Sequence, residues 1–315
     1  MENLQPSGSF KSRGIGHYLL TQLSTLSPSS NPHIFSSSGG NAGLASVHAS
    51  RALSLPCTVV VPFSTSALMV SKIRTAGAHA VIQHGATWAD ADAYLREIVM
   101  PTQHRLSGEV GIYTPPFDHV DIWTGNATVV SEIVNQLQGV RPSIIICSVG
   151  GGGLFNGVMQ GLDTLGWGHT TTVLALETAG AASLSASLAA GHLITLPGIT
   201  SRATSLGATR VTAKTLEYAQ RENVKSVVLE DHEAAEGCVM LADEERVMVE
   251  LACGVNVGLL LKGRIERVLG RTVDKEERLV VVVCGGSGVT VEMLAGWREE
   301  VTEVGALPNG NGHEA

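Results

Sequence analysis

Three short apolar runs each end in a small-residue turn that opens a helical pattern. Residues 33–35 lead into Ser36-Ser37-Ser38-Gly39-Gly40-Asn41-Ala42-Gly43, residues 143–147 into Ser148-Val149-Gly150-Gly151-Gly152-Gly153-Leu154, and residues 279–283 into Cys284-Gly285-Gly286-Ser287-Gly288. The β-branched runs at 57–61, 143–149, 171–176, 226–229 and 279–283 are continuous rather than alternating, as strands covered on both faces must be. Helical patterns lie between them at 42–53, 66–75, 88–99, 127–137, 154–162, 213–221, 255–269 and 291–300. This alternation predicts an α/β fold built of open parallel sheets. In such sheets ligands sit at the carboxyl ends of the strands, where the three small-residue turns lie.

The 315 residues, 44% of them hydrophobic, suffice for one large or two ordinary domains. The Pro115-Pro116 pair, after a possible strand at 112–114, cannot continue a helix or a central strand, so the domain crossing is placed near residue 113. The division expected is 12–112 as a small α/β domain, with 1–11 and 113–315 as a large one. A net charge of -8 with no basic block argues against nucleic acid as a partner. The five scattered cysteines form no Cys-x-x-Cys pair and suggest neither zinc nor a disulfide framework. With no apolar segment long enough to span a bilayer, a cytoplasmic location is expected and a membrane partner is not. The Ser-rich stretch 24–30 and the tail Pro308-Asn309-Gly310-Asn311-Gly312 are expected to be flexible and to carry no chemistry.

Four segments point to chemistry. Lys11, in Gln5-Pro6-Ser7-Gly8-Ser9-Phe10-Lys11-Ser12-Arg13-Gly14, could form a Schiff base with an aldehyde cofactor, and pyridoxal 5'-phosphate is the first hypothesis. Small residues admit a ligand, Phe10 offers a flat face to a ring, and an apolar pocket would lower the amine's pKa. Free amides at the helix start after Ser36-Ser37-Ser38 could hold a substrate carboxylate, and Asn41 could donate to a phenolate; an ordinary helix cap is the plainer alternative. The tetraglycine turn suits a phosphate at a helix N-terminus but lacks the Lys-Ser/Thr of a P-loop. Gly151, Gly153 and Gly157 with Glu177 also leave a dinucleotide-binding dehydrogenase open. Cys284 could face a pyridine nitrogen without enforcing its protonation, or could be a core cysteine.

Together and in this order, these segments resemble the catabolic L-serine/L-threonine dehydratases, pyridoxal-phosphate enzymes of the tryptophan-synthase β (fold type II) group. The resemblance covers nearly the whole chain, including residues 113–117, Gly166-Trp167-Gly168 and Ala252-Cys253-Gly254. It implies two α/β domains with the cofactor in the cleft between them. Lys11 would hold the cofactor covalently and serve as catalytic base, and Phe10 would cover its ring. Asn41 would bind the phenolate oxygen, Gly150, Gly151, Gly152, Gly153 and Leu154 the phosphate, and Cys284 would face the pyridine nitrogen. Ser38, Gly39, Gly40, Asn41 and Ala42 would hold the substrate, with Ser38 or the cofactor phosphate protonating the leaving hydroxyl. A monovalent cation such as K+ is implied at Gly150, Glu177, Ala181, Ser183, Leu206 and Ala208, and the expected assembly is a homodimer. The expected reaction, in amino-acid catabolism, converts L-serine to pyruvate and ammonia, and L-threonine to 2-oxobutanoate. Racemisation or β-replacement would begin with the same proton abstraction at Lys11. Family members carry a further segment before the lysine motif, so the resemblance also implies a missing N-terminal segment, and a truncated non-catalytic pyridoxal-phosphate-binding homologue is the other alternative.

Overall fold

The computed structural model describes residues 1–306; the tail segment beginning at Pro308 lies outside them. The first half runs α1 (Lys11–Ser24), β1 (Pro32–Ser36), α2 (Asn41–Ala52), β2 (Cys57–Val61), α3 (Ala67–Thr75), β3 (Ala80–Gln83), α4 (Trp88–Tyr94), α5 (Met100–Ser107), β4 (Val110–Tyr113) and α6 (Val120–Gln136). Its four strands form a parallel sheet in the order β3-β2-β1-β4. The second half runs β5 (Ile144–Ser148), α7 (Gly153–Thr164), β6 (Thr172–Thr178), α8 (Ser183–Ala190), α9 (Ala213–Ala219), β7 (Val224–Leu229), α10 (Asp231–Met240), α11 (Leu251–Gly258), α12 (Arg264–Leu269), β8 (Leu279–Val281) and α13 (Val291–Ala306). Its sheet is also parallel and repeats the same winding, β7-β6-β5-β8.

Burial explains why these strands read as continuous apolar runs. Every residue of β2 is buried, and so is every residue of β5, because helices cover both faces. In each sheet one strand separates the earlier-wound strands from a later one: β1 pairs with β2 and β4, and β5 pairs with β6 and β8. The turns after β1 and β5 therefore leave their sheets where the winding reverses, at the crevice in which doubly wound folds bind ligands. Both are the small-residue turns singled out above.

Several elements differ from the sequence reading for physical reasons. The stretch after Lys11 is the helix α1 despite Gly14 and Gly16. A Cβ on Gly14 would lie 2.7 Å from Asn126 Oδ1 and the Ile122 carbonyl, so the glycine lets α1 lie close against α6. The 255–269 pattern is two helices, α11 and α12, separated where Lys262 (φ 53) and Gly263 (φ 67) adopt left-handed conformations. Residues 88–107 run on past the expected end at 99 through a wide π-type turn, Leu95–Val99, just before Pro101. Proline supplies no N–H and crowds the preceding turn of a regular helix, which the wider turn relieves. The short strand β3 and the helices α8 and α10 were not anticipated.

Residues before α1 are joined to the second sheet. Glu2 N donates to the Val283 carbonyl at 2.8 Å, and Ser9 bridges antiparallel to Gly285. Arg13 binds the buried Glu2 through Nε and Nη2 at 2.5 and 2.8 Å, and reaches Glu132 on α6. These contacts set Lys11 beside the carboxyl end of β8. No helix among the described residues is long and apolar enough to cross a membrane.

Candidate active site

Lys11 opens α1 immediately after Phe10, whose N–H donates to the Cys284 carbonyl at 3.2 Å. The lysine Nζ donates to the Pro116 carbonyl at 2.6 Å and lies 5.3 Å and 5.9 Å from the ring centres of Phe10 and Phe117. Burial of the ammonium brings its pKa down to about 8, against a smaller opposing pull from Cys284. Roughly one amine in ten is then neutral at pH 7, against fewer than about one in a thousand for an ordinary lysine. Two buried hydroxyls in the adjoining segments, Ser9 Oγ and Thr114 Oγ1, have no hydrogen-bond partner among the described residues.

The tetraglycine turn forms the N-terminus of α7, which is 12 residues long. Gly152 has φ +100, a conformation that side-chain-bearing residues rarely adopt, and its missing Cβ would overlap Thr215 Oγ1. A Cβ on Gly153 would lie 3.0 Å from Phe117 Cβ, one on Gly151 would overlap the Phe117 ring, and one on Gly150 would approach the Leu206 backbone at 3.2 Å. No group among the described residues accepts from the amides of Gly151, Gly152 or Gly153. Unpaired amides at the positive end of a helix dipole fit a phosphate group.

The second helix N-terminus is that of α2, capped at Gly40. Ser38 Oγ accepts from Gly40 N at 3.3 Å, and a Cβ on Gly43 would overlap the Ser38 carbonyl, so the turn is folded tightly over the helix start. A Cβ on Gly39 would lie 2.6 Å from Thr65 Oγ1, while Ala42 is buried. Ser37, unexposed, donates to Asp92 Oδ1 at 2.6 Å, and Tyr113 donates to the same oxygen at 2.7 Å, anchoring the loop from behind. Asn41 projects across the cleft. Its Nδ2 lies 3.1 Å from both carboxylate oxygens of Glu250, and its Oδ1 accepts from Ser287 N at 2.9 Å.

Cys284 is 5% exposed, with Ser148 Oγ 3.5 Å from its sulfur and the Ala252 carbonyl at 3.7 Å. Hydrogen bonds from Cys253 and Ser148 hold its thiol below the ordinary range, whereas burial pushes Cys253 well above it. Glu177 is fully buried at the end of β6, not a solvated strand-end acid. Its carboxylate accepts from Leu184 N and Ser185 N at 2.8 Å each, and burial pushes it up to about 7. Residues Lys11, Phe10 and Cys284 thus meet at the end of β8, Asn41 reaches that same turn, and Gly150 abuts Leu206. Glu177 and Ser183 gather around the start of α8; Ala181 is buried just before it, and Ala208 donates its N–H to the Leu206 carbonyl. Sequence reasoning missed Asp92, Thr215, Phe117 as a wall of the glycine turn, and Glu250. The last stands two positions before the quoted Ala252-Cys253-Gly254, the one signal that could have drawn attention to it.

Comparison with known proteins gives one consistent picture. A family model described as pyridoxal-phosphate dependent enzyme matches residues 1–285. An L-serine dehydratase of Saccharomyces cerevisiae is 42% identical over 303 residues, covering 93% of this chain and 88% of the relative. The catabolic L-serine/threonine dehydratase of the same organism is 40% identical over 303 residues, covering 93% of this chain and 83% of the relative. Among solved structures, a fungal L-serine ammonia-lyase from Rhizomucor miehei superimposes with a TM-score of 0.86 at 34% identity, covering 96% of this chain and 91% of that one.

Proposed function

Because this chain belongs to the pyridoxal-phosphate dependent enzyme family, we propose that it is a lyase that eliminates water from L-serine and releases pyruvate and ammonia. L-Threonine, giving 2-oxobutanoate, is the second substrate, as the similarity to the yeast catabolic L-serine/threonine dehydratase suggests. The observation that carries the reading is the desolvated Lys11 amine at the cleft end of β8, on a chain alike over nine-tenths of its length to enzymes of that name.

Pyridoxal phosphate, when bound, supplies an electron sink for the charge that develops at the substrate's Cα. The residues present fit it: Lys11 as its covalent anchor, Phe10 against its ring, and the amides of Gly150, Gly151, Gly152, Gly153 and Leu154 around its phosphate. Asn41 would donate to its phenolate oxygen, and Cys284 would face its ring nitrogen as a weak donor that leaves that nitrogen largely unprotonated. The amides of α2 with Ser38, Gly39, Gly40, Asn41 and Ala42 hold the substrate carboxylate, as free amides at a helix start hold anions. Lys11, as the neutral amine its burial favours, takes the Cα proton. The leaving hydroxyl departs as water, Ser38 being the side chain assigned to deliver the proton, and a second water then hydrolyses the released 2-aminoacrylate, by way of its imine, to pyruvate and ammonia. The two domains divide at residue 113, and the assembly implied by the resemblance is a homodimer. Five buried, unbridged cysteines suit a reducing cytoplasm.

The assignment is tested by supplying pyridoxal phosphate and L-serine alone and following the product. Formation of pyruvate without a second substrate is expected. D-serine in place of pyruvate would mean racemisation, and a requirement for a second nucleophile would mean β-replacement.

A monovalent cation is proposed at Glu177 with the carbonyls of Gly150, Ala181, Ser183, Leu206 and Ala208. In its support, the buried Glu177 pairs with no cationic side chain among the described residues, and Ser183 Oγ is buried without a partner. A ligand that binds only the folded state stabilises it by mass action, so exchanging K+ for tetramethylammonium should lower Tm by about 5 °C and slow turnover. Unchanged Tm and turnover would remove the site.

A further inference from the structure

Glu250 has no place in the chemistry described so far, yet three neighbours at the cleft, Asn41, Ser205 and Gly288, donate hydrogen bonds to it. It stands at the N-cap of α11, half-buried. Asn41 Nδ2 donates to both of its oxygens at 3.1 Å, Gly288 N donates at 2.5 Å, and Ser205 Oγ donates as well. All of these donors are neutral, and no cationic side chain among the described residues pairs with it. The carboxylate fills the space that side chains on Gly286 and Gly288 would need: a Cβ on Gly286 would overlap it, and one on Gly288 would lie 2.9 Å from Oε1.

The partners lie on opposite sides of the cleft. Asn41 begins the helix after β1 of the first sheet, whereas Ser287 and Gly288 follow β8 of the second. Lys72 on α3 adds a bond to the Ser287 carbonyl, so the two units are joined at this point through the side chains of Asn41, Lys72, Glu250 and Ser205. The Asn41 carboxamide is held by opposite demands at its two ends: a carboxylate accepts from its NH2, and the Ser287 N–H donates to its oxygen. Turning the amide over would set oxygen against carboxylate and NH2 against N–H, losing both bonds. Glu250 on one end and the Ser287 N–H on the other therefore decide together which end of Asn41 is the donor, and Ser205 Oγ lies 3.3 Å from the same Nδ2 as a further acceptor.

We propose that Glu250 is a positioning residue for the reaction, fixing the donor orientation of the Asn41 amide and holding the start of α2 against the turn after Cys284. This rests on the pyridoxal-phosphate lyase reading above. Glu250→Gln keeps the size but sets an NH2 against Asn41 Nδ2 in either orientation, so the amide of residue 41 is held in its sense by the Ser287 N–H alone and its position is loosened. Glu250→Asp keeps the charge at a shorter reach.

The experiment measures kcat and KM for L-serine, the pH midpoint of the holoprotein's visible absorbance, and Tm. The proteins compared are wild type, Glu250→Gln, Glu250→Asp, Asn41→Ala and the Glu250→Gln/Asn41→Ala double variant. Glu250→Gln is expected to lower kcat about 10- to 100-fold with a smaller change in KM, since misplacement of a positioned group acts on the chemical step. The absorbance midpoint should move, Glu250→Asp should recover part of both effects, and Glu250→Gln should add little once Asn41 is alanine. A wild-type kcat and midpoint in Glu250→Gln, or an undiminished effect in the Asn41→Ala background, would overturn the role. A low Tm in Glu250→Gln shared by a fully active, spectrally normal Glu250→Asp would still support it. A wild-type protein with neither absorbance band nor 2-oxo acid product would instead overturn the lyase reading, and this inference with it.

Discussion

Lys11→Ala is expected to lose the cofactor's visible absorbance band and, with it, turnover, by at least about a thousandfold. The lysine is assigned two tasks, covalent anchor and base, and no side chain in the described cleft can take over either: Lys72, the other amine nearby, is committed to the Ser287 carbonyl. The same variant carries a stability signature of opposite sense. A lysine whose pKa is lowered on folding binds fewer protons in the native than in the unfolded state between about 8 and its ordinary value. Stability conferred by such a group rises with pH across that window, and the shift corresponds to roughly 3 kcal/mol as an upper bound. Denaturant titration of the apoproteins at pH 7 and pH 10 should therefore show wild type gaining on Lys11→Ala as the pH is raised. A retained band in the variant, or parallel pH dependence of the two proteins, would contradict the site.

Gly152→Ala is the second large effect. The residue has φ +100, and the added methyl would overlap Thr215 Oγ1, a buried hydroxyl already fixed by Thr212 and Asn156. Left-handed backbone costs a side-chain-bearing residue about 1–2 kcal/mol, and overpacking a filled site costs about 1–3 kcal/mol more. The sum is a destabilisation of roughly 2–5 kcal/mol by denaturant titration. Because relief comes from moving the turn, the amides ahead of α7 lose their convergence, and affinity for pyridoxal phosphate should fall at least about tenfold in an equilibrium titration. Wild-type stability together with wild-type affinity would show that the turn is not a fitted cradle. A loss of stability alone would separate packing from binding.

The strands and the three turns were legible because buried parallel strands leave an unmistakable apolar run and glycine marks where the chain must turn sharply. Residues 57–61 match β2 at both ends, and 279–283 overshoots β8 by only two residues. Strand β3 was not legible, since Ala80–Gln83 is short and only half-buried, with an apolar run of just three residues. Helix α1 was hidden by Gly14 and Gly16; Gly14 is spent on close packing against α6, which a reading of one segment alone cannot reveal. The candidate cofactor residues could be picked out because their types announce a chemistry: a lysine among small residues, a run of glycines, a Ser-Gly-Asn loop. Glu250, Asp92 and Thr215 act only through neighbours distant in sequence, and nothing local distinguishes a carboxylate that holds Asn41 from one that faces water.

The pairing of the lysine segment with the end of β8 bears on how the protein is made. Ser287 Oγ bonds the Ser7 carbonyl across 280 residues of sequence, and Ser9 bridges to Gly285. On a translating ribosome the first sheet has all four strands in hand once residue 113 has emerged, so it can close while the rest is still being synthesised. The lysine segment, synthesised before that sheet, waits for the last strand to complete its binding place. The burial that lowers the Lys11 pKa belongs to the folded chain, so a lysine segment not yet packed against the end of β8 would carry an ordinary, protonated amine.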